Sequence, residues 1–156
     1  MKIEKGQKAP SFELFDSDKK KVKLEELIGK NVLLLFFPLA FTSTCTKELC
    51  SVRDNISMYN DLGVEVFGIS VDSPQTLNRY KQDQQLNFRL LSDFNKEISA
   101  AYGSIYEVFS LEMRGVSKRS AFIIDKDGVV QYAEVLENAS EVPDFNAIMK
   151  TLSRLN

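Results

Sequence analysis

The sequence predicts one α/β domain over residues 1–156, built on a central mixed sheet with flanking helices. Three continuous apolar runs, each short enough to be a strand, alternate with segments whose apolar residues recur at helical spacing. Continuous apolar runs are typical of strands that are covered on both faces, as in a parallel sheet. A turn and a further strand-like segment follow the last run, which predicts an antiparallel edge beside a parallel core.

The strands are predicted from these runs in chain order. Continuous apolar runs place strands at residues 31–37, 64–71 and 120–124. After the third run, the turn sequence DKDG predicts a hairpin that pairs residues 119–125 with residues 129–135. Weaker patterns predict short strands around residues 12–15, 21–24 and 89–91.

Helices are predicted between the strands. Helical spacing is found in residues 45–62, 73–84, 96–102 and 142–155. The first of these segments has an apolar residue at every third or fourth position and is predicted as one helix. Ser73 is a capping residue and Pro74 is a first-turn proline, so the second helix is predicted to begin at this pair. This order favours a thioredoxin-like arrangement over a flavodoxin-like one, because it ends in an antiparallel hairpin.

The composition excludes several classes of function. The chain has no histidine and only two cysteines, so it cannot form a Ser-His-Asp triad, an HExxH helix or an all-cysteine zinc site. It also lacks the GxGxxG and P-loop motifs. A formal net charge of −2 gives no reason to expect nucleic acid or an anionic membrane as a partner. We therefore expect no metal or cofactor, and chemistry that belongs to the protein's own side chains.

Both cysteines fall in the stretch FFPLAFTSTCTKELC, as Cys45 and Cys50. The N-terminal stretch MKIEKGQKAPSFEL lacks the apolar centre of a secretory signal, and no apolar run reaches the ~20 residues of a membrane span, so a cytoplasmic location is predicted. In a reducing compartment, two cysteines are more often redox-active or incidental than a structural disulfide.

Cys45 follows the first apolar run and stands near the start of the next predicted helix. Sites in open α/β sheets form beyond the carboxyl ends of the parallel strands, and a helix N-terminus favours a thiolate over a thiol. The helix N-terminus supplies only part of the stabilisation that a Cys45 thiolate needs, so a cation is also expected near the sulfur. Arg119, directly before the third run, is the first candidate, and Arg114 is weaker. Arg53 lies about 12 Å from Cys45 along the helix axis, which is too far for direct contact by backbone geometry.

Cys50 lies five residues after Cys45. In an intact α-helix this spacing separates the two Cα atoms by ~8.6 Å, whereas a disulfide needs less than ~7 Å. A Cys45–Cys50 disulfide would therefore require the first turns of the helix to unwind, as a step after oxidation of Cys45 to sulfenic acid. The alternative is that Cys50 is a small apolar residue of the helix.

The order Pro38, Thr42, Cys45 matches the PxxxTxxC signature of peroxiredoxins, which are thiol peroxidases with a thioredoxin-like fold. CTKELC resembles the bacterioferritin-comigratory (PrxQ-type) branch, and FPLAFT resembles the one-cysteine AhpE-type branch. The likeness extends from GQKAPSFEL through VFGISVDSP and LLSDFNKEISAAYG to KRSAFIIDKDGVV. It implies a peroxide substrate, a thioredoxin-like or other thiol reductant, and either a monomer or a homodimer.

The resemblance also implies roles for individual residues. Cys45 is expected to be the peroxidatic nucleophile and Cys50 the resolving thiol. Thr42 is expected to hydrogen-bond the peroxide and the sulfur, while Pro38 shields the thiolate from water. Arg119 matches the arginine that holds the thiolate and the peroxide oxygens.

Two further residues complete the expected site. The backbone amides near Thr44 are expected to bind peroxide, and Glu48 resembles a supporting carboxylate that orients an arginine. The Ser43-Thr44 pair departs from the Pro-Gly that the PrxQ-type branch often carries. Two alternatives remain open: a one-cysteine peroxidase that is reduced by an external thiol, and a non-enzymatic peroxide sensor or interaction module. The missing CxxC spacing argues against a thiol–disulfide oxidoreductase.

Overall fold

A computed structural model of the chain describes residues 2–155 and contains a seven-stranded mixed sheet. The strands are β1 (Glu13–Asp16), β2 (Lys21–Lys23), β3 (Asn31–Phe36), β4 (Val64–Ser70), β5 (Arg89–Ser92), β6 (Ser120–Ile124) and β7 (Val130–Val135). They lie in the order β2-β1-β5-β4-β3-β6-β7. β3, β4 and β5 are parallel, and the remaining pairings are antiparallel. The predicted parallel core and the β6–β7 hairpin are both confirmed.

Five α-helices connect or flank these strands in the described part of the chain. They are α1 (Ser43–Asp54), α2 (Ile56–Asp61), α3 (Pro74–Gln84), α4 (Glu97–Ala101) and α5 (Phe145–Arg154). α3 begins as predicted, since the Ser73 hydroxyl accepts a hydrogen bond from the Thr76 amide. None of the helices between residues 2 and 155 is long and apolar enough to cross a membrane.

The prediction of one helix over residues 45–62 is wrong, because the segment is broken at Asn55. There the backbone has φ −115° and ψ 17°, which ends α1 and precedes α2. The Asn55 side chain donates to the Ser51 carbonyl oxygen at 2.8 Å. An asparagine side chain that bonds to a backbone carbonyl competes with the hydrogen bonds of the helix. The spacing of apolar residues continues across this break and therefore did not predict it.

The position of β3 explains why its sequence is apolar throughout. β3 lies between β4 and β6, and all six of its residues are buried. Successive side chains point to opposite faces of a strand, so Leu33 and Leu35 join one apolar cluster while Leu34 and Phe36 join the other. α1 packs Leu49 on the first of these clusters. The carboxyl end of β3 thus leads directly into a helix that is anchored on the sheet.

Candidate active site

The loop between β3 and α1 is held by a carboxylate at the end of the neighbouring strand. Asp72 follows β4, and its Oδ2 accepts hydrogen bonds from the Ala40 amide at 2.8 Å and from the Ser70 hydroxyl at 2.7 Å. Phe41 takes a left-handed φ of 64°, and its ring lies 5.0 Å from that of Tyr80. A bulky residue adopts this conformation only where its surroundings impose it. The loop is therefore held in one shape.

Thr42 is the residue that precedes α1, with φ −112° and ψ 153°. Its hydroxyl donates to the Leu39 carbonyl oxygen at 2.7 Å and does not cap the helix. The first amides of a helix have no carbonyl partner within it, so those of Ser43, Thr44 and Cys45 are available to an anion. Cys45 is the third residue of α1 and only 1% exposed. Its sulfur therefore lies in the field of the helix N-terminus.

Arg119 joins the thiol to a carboxylate. It precedes β6 and is 2% exposed. Its Nη2 donates to Cys45 Sγ at 3.3 Å, and its Nη1 donates to Glu48 Oε1 at 2.7 Å. Its Nε donates to the Ala139 carbonyl oxygen at 2.9 Å. Three partners in the plane of the guanidinium fix both its position and its orientation, so the cation beside the sulfur is preorganised.

Glu48 is buried with only half of its carboxylate paired. It lies three residues after Cys45 and is 1% exposed. Within the described part of the chain, its Oε2 has no hydrogen-bond partner. Burial raises the pKa of Glu48 to about 7, against the opposing attraction of Arg119. The guanidinium therefore faces two acidic groups, the Cys45 thiol and the Glu48 carboxyl.

Because Glu48 is buried, its carboxyl should make the free energy of unfolding depend on pH between 4.5 and about 7. A carboxyl with a raised pKa binds its proton more tightly in the folded state, so its contribution is complete below pH 4.5 and is lost as the pH rises through about 7. At about 1.36 kcal/mol per pKa unit, wild type should lose ~3 kcal/mol relative to Glu48→Gln across this range. Urea unfolding of both proteins at several pH values measures the difference. A difference that does not change with pH would contradict the burial argument.

Cys45 and Arg119 lie in the wall of a cleft of about 280 Å³. Its lining residues are Thr42, Ser43, Thr44, Cys45, Phe109, Ser110, Arg119, Asn138, Ala139 and Ser140. The lining thus combines the first residues of α1 with Phe109 and with residues 138–140. A larger cleft of about 500 Å³ lies between β1, α3 and α4, and neither cysteine lines it. The smaller cleft, which Cys45 and Arg119 both line, is therefore the candidate active site.

The two cysteines are free and lie on one intact helix. Cys50 is half-buried, and its Sγ donates to Gln84 Oε1 of α3 at 3.6 Å. It does not line the cleft that contains Cys45. Pro38, two residues after the end of β3, is buried. The structure thus brings Cys45, Arg119, Glu48 and the start of α1 together, and it holds Cys50 apart.

Sequence reasoning missed the contribution of Asp72 and the carbonyl of Ala139. Asp72 follows the carboxyl end of a predicted parallel strand, and that position was a usable signal. Ala139 offers only a backbone group, which no side-chain pattern reveals. Arg114 is exposed and does not line the cleft, and Arg53 contacts Gln84. Within residues 2–155, no group of three or more histidine, cysteine, aspartate or glutamate side chains could hold a metal ion.

Comparison with known proteins gives consistent results. Residues 5–133 match the AhpC/TSA family. Peroxiredoxin Bcp of Escherichia coli is 37% identical over 131 residues, which cover 83% of this chain and 84% of that protein. The chloroplastic 2-Cys peroxiredoxin BAS1 of Spinacia oleracea is 37% identical over 161 residues, covering 96% of this chain and 58% of that protein. The crystal structure of peroxidoxin BcpB from Mycobacterium tuberculosis has a TM-score of 0.87 and 26% identity and covers 99% of both chains.

These comparisons confirm the resemblance that the PxxxTxxC signature indicated, including its Bcp (PrxQ-type) branch. They also confirm the predicted thioredoxin-like fold, because the chain superposes on a peroxiredoxin over nearly its whole length. The flavodoxin-like alternative is excluded by β6, which runs antiparallel to β3. The chain belongs to the AhpC/TSA family of peroxiredoxins and is a thiol-dependent peroxidase.

Proposed function

We propose that Cys45 is the sulfur that reacts with peroxide and that Arg119 and the first amides of α1 stabilise the charge in this reaction. The observation that carries the proposal is the 3.3 Å contact between Arg119 Nη2 and Cys45 Sγ in the wall of the cleft. A fixed guanidinium and a helix N-terminus both favour the thiolate, which is the nucleophilic form of cysteine. The thiolate is thereby ready before the peroxide arrives.

The reaction is a displacement at oxygen. The Cys45 thiolate forms an S–O bond to the terminal oxygen of ROOH, the O–O bond breaks, and the leaving RO⁻ takes up a proton to give ROH. The product at Cys45 is a sulfenic acid. Negative charge moves from sulfur to the leaving oxygen, so donors fixed along this line stabilise the transition state most.

We assign supporting roles in this step to Thr42 and Thr44, which line the cleft, and to Pro38, which does not line it. The Thr42 hydroxyl donates its proton to Leu39, which leaves its lone pairs free to accept from the peroxide. The amides near Thr44 are proposed to bind peroxide oxygen. Pro38 is buried in the loop between β3 and α1 and carries no N–H group, and we propose that it shields the sulfur from water without competing for its charge.

We further propose that Cys50 resolves the sulfenic acid. Its thiolate attacks Cys45 Sγ, the S–O bond breaks, and the hydroxide that leaves takes up a proton, giving a disulfide and water. An external thiol reductant, such as a thioredoxin-like dithiol, then reduces the disulfide. In the intact helix the two Cα atoms are ~8.6 Å apart, so the first turns of α1 must unwind for the disulfide to form.

Intact-mass kinetics of wild type beside Cys50→Ser test this assignment. After one equivalent of peroxide, wild type should lose two hydrogens and carry a link between the peptides of Cys45 and Cys50. Cys50→Ser should be oxidised at an unchanged rate and retain one added oxygen on Cys45. Ser51→Ala, a change at the neighbouring exposed position, serves as the control and should behave as wild type.

If wild type instead kept one unlinked oxygen on Cys45, the protein would be a one-cysteine peroxidase that is reduced directly by an external thiol. If Cys45 gained no oxygen in Cys50→Ser and wild type formed no disulfide, the peroxidatic assignment itself would be wrong. The experiment therefore separates the first step of the reaction from the second.

A reducing compartment, the cytoplasm, is the location we propose, because the reaction cycle consumes thiol reductant and both cysteines are free. Residues 1–156 are proposed to work as one domain. The cleft combines side chains from α1, from Phe109 and from the Asn138 loop, so it depends on segments far apart in the chain.

A further inference from the structure

Three hydrogen bonds join one face of α1 to one face of α3. Thr46 Oγ1 and Tyr80 Oη share a hydrogen bond of 2.9 Å. Cys50 Sγ donates to Gln84 Oε1 at 3.6 Å, and Arg53 Nη1 donates to the Gln84 carbonyl oxygen at 2.5 Å. We call these five residues the α1–α3 clasp. Its α1 members are spaced four and three residues apart, and its α3 members four apart, so each set lies along one face of its helix.

The two α3 residues of the clasp, Tyr80 and Gln84, are both held in place. The Tyr80 side chain is fully buried, and its ring packs near those of Phe37 and Phe41. Burial raises the pKa of Tyr80 to about 12, so its hydroxyl keeps its proton at neutral pH. Gln84 is the last residue of α3, where unpaired carbonyls and the helix dipole favour a cation such as Arg53.

The clasp acts on the segment that must move for a disulfide to form. Thr46 lies directly after Cys45, and its amide donates to the Thr42 carbonyl oxygen at 3.0 Å in the first turn of α1. Unwinding of this turn moves Thr46 away from Tyr80, and the approach of Cys50 to Cys45 breaks the bond to Gln84. The contacts of the clasp are therefore present in the reduced protein and are lost before the disulfide can close.

We propose that Tyr80 and Gln84 are positioning residues that set the rate of the resolving step, by holding Thr46 and Cys50 in the wound helix. This inference rests on the proposed role of Cys50 as the resolving thiol. The clasp leaves the first step unaffected, because neither Tyr80 nor Gln84 lines the cleft around Cys45.

The consequence is a competition for the sulfenic acid. While the clasp is closed, Cys45–SOH has no second thiol within reach and can react with another peroxide, whose O–O bond breaks as a second oxygen is added to give sulfinic acid and ROH. When the clasp opens, Cys50 displaces hydroxide and forms the disulfide. A tighter clasp thus raises the share of sulfinic acid, and a looser clasp raises the share of disulfide.

Tyr80→Phe tests the first contact, because it removes the hydroxyl and keeps the buried ring. Loss of one hydrogen bond from the wound state should speed disulfide formation about fivefold, which corresponds to ~1 kcal/mol. The rate at which the first equivalent of peroxide oxidises Cys45 should not change. At high peroxide, intact mass should show less sulfinic acid in Tyr80→Phe than in wild type.

Gln84→Leu tests the second contact, and Gln82→Leu is its matched control. Gln82 lies on the same helix, is exposed, and donates to Asn78 Oδ1 at 2.6 Å, so the control also loses one side-chain hydrogen bond. Because a thiol is a weak donor, Gln84→Leu should speed disulfide formation only about twofold. Gln82→Leu should leave both the rate and the share of sulfinic acid as in wild type.

The outcomes separate this proposal from the proposed function. If wild type forms the disulfide and Tyr80→Phe and Gln84→Leu form it no faster, the clasp proposal is overturned while the role of Cys50 stands. If wild type forms no disulfide, both the role of Cys50 and the clasp proposal are overturned. A merely structural effect would lower thermal stability in both variants and in the control without changing the share of sulfinic acid.

Discussion

Cys45→Ser should lower peroxidase turnover by ~10³-fold or more, as expected when the nucleophile of an enzyme is removed. A serine hydroxyl is not ionised at neutral pH, even beside Arg119 and a helix N-terminus, and it forms no counterpart of the sulfenic acid. The fold should persist, because serine fits the volume of the buried thiol. Peroxide consumption with excess dithiol measures the effect.

The matched control is Cys50→Ser, which carries the same chemical change five residues along α1. With an external monothiol as reductant, it should consume peroxide while Cys45→Ser does not. Turnover by Cys45→Ser within tenfold of wild type would refute the assignment of Cys45, whatever the sequence signature.

Arg119→Met should lower the rate of Cys45 oxidation by about 10²–10³-fold, the usual cost of removing one fixed donor from a developing negative charge. The change should also destabilise the fold by ~1–3 kcal/mol, because Glu48 Oε1 and the Ala139 carbonyl oxygen lose their buried donor. Stopped-flow oxidation gives the rate, and urea unfolding gives the stability.

A second substitution separates these two effects. In Arg119→Met/Glu48→Gln residue 48 can no longer ionise, so any cost of an unpaired buried charge is removed while the rate stays low. Arg79→Met removes an exposed arginine paired with Asp83 and should change stability by less than ~0.5 kcal/mol. A rate that recovered in the double variant would show that Arg119 acts only through stability.

The fold was largely predictable because its elements carry local signals. Three local features each predict an element and one of its boundaries. They are the apolar run of β3, the capping pair Ser73-Pro74 and the turn between β6 and β7. The break at Asn55 was not predictable from apolar spacing, because a side chain that bonds to the backbone ends the helix there while the spacing continues.

The site was only partly predictable. Cys45 follows from its position after a strand, and Glu48 lies one helical turn away on the same face. The choice of Arg119 over other arginines depends on β6 lying directly beside β3, and this is a fact of sheet order that the chain order does not specify. The contacts of Cys50 with α3 likewise depend on how two helices meet.

The proposed mechanism requires that Cys45 is already a thiolate in the reduced protein. Ultraviolet absorption of the thiolate at neutral pH, measured on reduced Cys50→Ser, tests this most directly. We predict close to one thiolate per chain, which should vanish in Cys45→Ser/Cys50→Ser and decrease in Cys50→Ser/Arg119→Met. Absorption in Cys50→Ser no greater than in the protein without cysteines would contradict the account.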